Sequence, residues 1–170
     1  MNLRLLKPLR LLGEALSESA TPRQMALGFA LGMVIGLVPK GNLTAAALMV
    51  VLLGSRVNLG MGLAGAMLFS WIGVLTDPVA HRVGHALLAR PSLRPMWAWL
   101  YDLPVVPWTG FNNTVVLGSL LIGLGLFYPA WRVSERAFAR IQPPLCARLA
   151  KYRIVQLLAG TELVAGWRAE

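Results

Sequence analysis

The sequence predicts an all-α fold, a polytopic helical membrane protein. Three observations carry that reading. Hydrophobic residues make up 56% of the 170, and mean hydropathy is +0.62. Only 14% of residues are charged, where ordinary soluble domains carry roughly 25%. The apolar residues also fall into blocks of helical length, punctuated by Gly, Pro and Asn. A soluble fold of this size could not hide that much apolar surface and still present a wet exterior, and a bilayer removes the difficulty.

The net charge is +9, from 16 Lys and Arg against 7 Asp and Glu. A strongly basic chain can be a nucleic-acid binder. Here the cations flank apolar blocks, which is the pattern of membrane orientation, so no nucleic-acid partner is expected. The expected partners are the bilayer and its anionic headgroups. Cys146 is the single cysteine, which excludes an intrachain disulfide.

The elements follow in order. Residues 1–20 read as an amphipathic surface helix, with Leu5, Leu6, Leu9, Leu12 and Leu16 near one face and Arg4, Lys7 and Arg10 elsewhere. Such a helix lies among anionic headgroups or docks on protein. Lys7, Arg10 and Glu14 interrupt any signal-peptide core, so the segment reads as retained.

Thr21, Pro22 and Gln24 form a helix start: N-cap, first position and capping-box partner. The apolar block over 25–38 then ends at Pro39-Lys40-Gly41-Asn42, and a second block over 43–53 ends at Gly54-Ser55-Arg56. Helices are expected at about 24–38 and 43–54. Fourteen helical residues span about 21 Å, short of the roughly 30 Å of hydrocarbon. The pair is therefore either a Gly-rich re-entrant hairpin, the slightly favoured reading, or two short spans in a thinned bilayer.

Residues 57–76 carry no charge between Arg56 and Asp77 and are long enough to span, with Asn58 as N-cap. Asp77-Pro78 reads as cap and first position of a separate helix over 78–89. Pro91, Pro95, Trp97, Trp99, Tyr101 and Trp108 follow, an interfacial composition. A second full span is expected over 114–131. Residues 132–170 form a basic tail divided by Pro143-Pro144. With both termini inside, twelve Lys and Arg lie on the cytoplasmic side and four outside (Lys40, Arg82, Arg90, Arg94), as the positive-inside rule asks.

Candidate functional residues are few. Gly28, Gly32 and Gly36 recur at i, i+4 and i+8, making a face on which another helix can approach closely. Pro39, Lys40, Gly41 and Asn42, with Asn58, are the candidate solute site, because a broken backbone with a cation and an amide at depth builds ion and solute sites in transporters. The same turn also reads as an ordinary hairpin tip whose lysine snorkels. Asp77, His81 and His85 share a helical face at metal-ligand spacing, without a fourth ligand. The bland reading is a helix cap and two interfacial histidines. No phosphate-binding loop, dinucleotide fingerprint or nucleophile elbow occurs. No cofactor and no enzyme activity are expected.

Thr21-Pro22-Arg23, the run Ala26-Leu27-Gly28-Phe29-Ala30-Leu31-Gly32, then Gly36 and Pro39-Lys40-Gly41, resemble the bacterial membrane family called domain of unknown function 2062. Arg56-Val57-Asn58 and Asp77-Pro78 look like two further elements of it. The likeness covers about residues 20–130. This chain departs at Asn42 in the hairpin tip and at Asp77, where the family has Asn before the second Pro. The resemblance implies a bacterial inner-membrane protein and brings no activity with it.

The leading functional expectation is a non-enzymatic accessory or scaffold that packs through its glycine faces, with itself or with other membrane proteins. The alternatives are a small-solute or ion transporter using the broken hairpin, and an enzyme acting on lipid headgroups near Asp77, His81 and His85.

Overall fold

The computed structural model describes residues 21–149, and among them the chain is all-helical. The expected surface helix over 1–20 and the end of the basic tail lie outside the described residues. Five α-helices follow in order: α1 Pro22–Leu37, α2 Leu43–Gly54, α3 Leu59–Leu88, α4 Arg94–Tyr101 and α5 Thr114–Leu149. Short 3-10 turns at Pro91–Leu93 and Val106–Thr109 flank α4.

The start of α1 is a complete capping box. Gln24 N donates to Thr21 Oγ1 at 3.2 Å, and Thr21 N donates to Gln24 Oε1 at 3.2 Å. Two of the orphan amides of a helix start are thereby satisfied reciprocally. From there α1 is apolar all round, and a helix of that kind must be buried. Met25, Ala26, Ala30 and Ile35 are fully buried, because α1 lies between α3 and α5.

Glycine sets how closely these helices meet. A Cβ on Gly28 would strike the Asn58 carbonyl, one on Gly32 the Gly62 carbonyl, and one on Gly36 would meet Ala66 O at 2.8 Å. Successive turns of α1 thus meet successive turns of α3 in the same sense, so the two run parallel. From the α3 side, a Cβ on Gly65 would meet Phe29 O at 2.6 Å. Gly28, Gly32 and Gly36 thus face α3 of the same chain.

Helix α5 runs antiparallel to both. Gly84 abuts the Thr114 carbonyl and Gly118 the Ala80 carbonyl, one number rising as the other falls. On α1, Val34 lies against Gly123, and Val38 clusters with Val116. Helix α2 folds back along α1 and drops Leu52 onto Gly62, in a cluster with Ile35 and Ala66.

Two expectations fail. Asp77-Pro78 starts no new helix, since α3 is continuous from Leu59 to Leu88 with Pro78 inside it. An interior proline removes one backbone bond and crowds the carbonyl four residues back. Both halves of α3 are nevertheless pinned: Gly73 packs on Gly36 and Leu37 of α1, while Ala80 and Gly84 pack on α5. The span expected over 57–76 and the separate helix expected over 78–89 are therefore one helix. Likewise the helix expected over 114–131 continues to Leu149 through Pro143-Pro144, so the first part of the basic tail prolongs α5. Leu59–Leu88 and Thr114–Pro143 are each long and apolar enough to cross a membrane.

Candidate functional site

The hairpin tip is built by its own side chains. Val38 is extended, Pro39 ends α1, and Gly41 sits at φ 91°, in the left-handed region that favours glycine. Asn42 then caps α2. Its Oδ1 accepts from Ala45 N at 2.9 Å, and its Nδ2 donates to Pro39 O at 2.7 Å. The Lys40 ammonium folds back over the end of α1, donating to Ile35 O at 2.7 Å, Val38 O at 2.8 Å and Gly36 O at 3.1 Å. A helix end leaves its last carbonyls unpaired and carries partial negative charge. Lys40 answers both and uses all three of its protons in doing so.

The loop after α4 packs over this tip. Thr44 Oγ1 donates to Thr109 O at 2.8 Å, and Gly110, at φ 70°, lies beside Asn42. Between tip and loop is an open groove of about 750 Å³, walled by Lys40, Asn42, Ala46, Met49, Val105 and Trp108. Its walls are mainly apolar, and the two polar side chains pointing to this region already have intramolecular partners. The groove suits a greasy group better than a polar solute.

Asn58 does not belong to this site. It caps α3, accepting from Met61 N at 2.9 Å, and its own backbone N donates to Gln24 O at 3.2 Å. That is the start of α1, whereas Lys40 closes its end, and sixteen helical residues separate the two by about 24 Å. Asn42→Ala and Asn58→Ala are each expected to lower stability by about 1 kcal/mol. Thermal melts in detergent, followed by circular dichroism, check both.

His81 and His85 are exposed on α3 and Asp77 is half-buried, and the three do not gather. The histidine rings pair at 5.8 Å between centroids, and His81 Nδ1 lies 2.7 Å from Thr114 Oγ1 at the start of α5. Among the described residues no three His, Cys, Asp or Glu side chains are grouped to hold a metal ion. The His81–Thr114 bond instead joins α3 to α5 where Gly84 meets the Thr114 carbonyl.

One constellation has no counterpart in the sequence reading. At the start of α1, the Arg23 guanidinium lies 5.6 Å from the Trp131 ring centroid, and that of Arg132 lies 5.8 Å from it. Arg132 also pairs with Glu135 at 3.0 Å. The Trp131 indole N–H is buried without an acceptor among the described residues. Trp131-Arg132 is legible as the end of an apolar block. Its meeting with Arg23 depends on the antiparallel packing of α1 and α5, which no local signal encodes.

The chain is similar to an uncharacterised protein of Treponema pallidum (strain Nichols), 28% identical over 123 residues, which span 72% of this chain and 76% of that protein. No family model matches the chain. No solved structure matches it.

Proposed function

We propose that this is an integral inner-membrane protein of bacteria that acts without catalysis, as an accessory or scaffold for other membrane components. The observation that carries the reading is the outward face of the bundle. On α3, Trp71 is 77% exposed and Leu75 80%, and Met67, Leu68 and Val74 are exposed beside them. On α2, Val50, Val51 and Leu53 face outward. Contiguous apolar surface of this kind, on helices of spanning length, calls for lipid or a protein partner. The likeness to domain of unknown function 2062 supports the same setting.

The helix directions support four passes. Helices α1 and α3 run one way, α2 and α5 the other. The tip at Val38 lies level with Val116, only two residues into α5, which favours two short crossings over a shallow re-entrant dip. Arg23, Arg56, Arg132 and Arg136 gather near the opposite end, where α1 starts. By the positive-inside rule that end is cytoplasmic.

Gly28, Gly32 and Gly36 are consumed within the chain, so partners would meet the outer faces of α2 and α3 instead. The transporter reading draws on the open groove at the tip, and the bonds already made by Lys40 and Asn42 weigh against it. Carbonate-washed membranes are expected to retain the protein and dodecylmaltoside to release it. A monodisperse species in plain buffer would overturn the assignment. Purified protein in solute-loaded liposomes is expected to give no release; release that Lys40→Ala abolishes, with folding intact, would make it a transporter.

A further inference from the structure

We infer that Arg23, Trp131 and Arg132 form a binding site for the phosphate headgroup of an anionic phospholipid, an inference that rests on the membrane reading above. Two guanidinium groups are held within about 6 Å of one indole ring, inside cation–π range. One ring can attract both cations, yet it cannot neutralise them. Glu135 engages Arg132, and Arg23 makes no ion pair among the described residues. Arg136 stands one turn beyond Arg132 on α5. The first turn of α1 adds the positive end of a sixteen-residue helix. Among the described residues the local charge is unbalanced toward an anion.

The second observation is the indole N–H. It is buried and has no acceptor among the described residues, a condition that carries a desolvation cost until a partner is found. An oxygen acceptor arriving with an anion would supply that partner. Guanidinium groups suit phosphate because their planar donors match its oxygens two at a time.

The surface beside the cations selects a lipid over a free phosphate. Leu124 and Tyr128 are exposed on the same side of α5 as Trp131, at successive helical turns, and the Tyr128 and Trp131 rings meet edge-on at 5.8 Å. An acyl chain lying along Leu124 and Tyr128 brings its phosphate to the arginines. Basic clusters beside membrane helices on the cytoplasmic side take anionic headgroups in this manner.

Native mass spectrometry of the full chain in detergent tests the site, with phosphatidylglycerol, phosphatidylcholine or inorganic phosphate added. Wild type is expected to retain phosphatidylglycerol and not phosphatidylcholine. Arg23→Gln with Arg132→Gln is expected to weaken retention roughly tenfold or more, and the paired Lys variants to keep most of it. Should the double Gln variant not fold, Trp131→Phe is read instead and is expected to weaken retention several-fold. Equal retention of both lipids by wild type, undiminished binding by a folded double variant, or displacement of the lipid by millimolar phosphate would each overturn the site. Retention of wild type in carbonate-washed membranes is scored separately, so loss of this site leaves the membrane assignment standing.

Discussion

Gly32→Val is expected to leave the detergent-purified chain without a cooperative unfolding transition, and Gly32→Ala to lose about 3 kcal/mol or more. The reason is the obstacle. A Cβ on Gly32 would strike the Gly62 carbonyl and meet Ala66 N at 2.9 Å, both of them backbone. A flexible side chain can turn aside, but a helix backbone moves only with the whole helix. Separating α1 from α3 would also strip α1 of the contacts that bury Ile35 and Ala66. The controls are Gly54→Ala and Gly125→Ala, where a Cβ meets nothing within 4 Å. Inside a helix, Ala in place of Gly gains about 0.5–1 kcal/mol, so Gly125→Ala is expected to be neutral or stabilising. Parallel melts of Gly32→Ala and Gly125→Ala, monitored by circular dichroism, decide the matter. Equal stability of the two would mean that α1 does not use this face against α3.

How far the fold was legible follows from which forces are local. The bounds of α2 and the start of α1 are readable because Asn42, Thr21, Pro22 and Gln24 act within one turn of their own positions. The spacing of Gly28, Gly32 and Gly36 announces a close approach, but not what approaches. A partner in another chain and α3 of the same chain leave the same trace. Asp77-Pro78 is a strong local start signal that tertiary packing overrides, because Ala80 and Gly84 are held on α5 and keep the helix running. Pro143-Pro144 is passed over in the same manner by α5. Candidate sites are harder still. Residue type groups Asn58 with the hairpin tip, yet it lies at the other end of α1. Arg23 and Trp131 are 108 positions apart, and only the direction in which α5 returns brings them together.

Lys40→Met is expected to lower stability by about 2 kcal/mol while leaving the apolar stem packed at the tip. A lysine between apolar blocks signals function because a bare charge at that depth is costly. Here the ammonium is not bare. Its three protons go to Ile35 O, Gly36 O and Val38 O, carbonyls that Pro39, lacking an N–H, cannot help to satisfy. Removing the ammonium leaves those acceptors unpaired and unshields the negative end of α1. Lys40→Arg retains charge and donors but with a planar fork in place of a compact ammonium, and an intermediate loss is expected. Thermal melts of the three proteins in one detergent give the order wild type, Arg variant, Met variant. If Lys40→Met melted with wild type while altering solute passage in liposomes, the ammonium would be a ligand for a solute and not the cap of α1. The energetic role and the transport role therefore separate on one substitution, because a cap contributes in every state of the folded protein and a solute ligand contributes only when its solute is present.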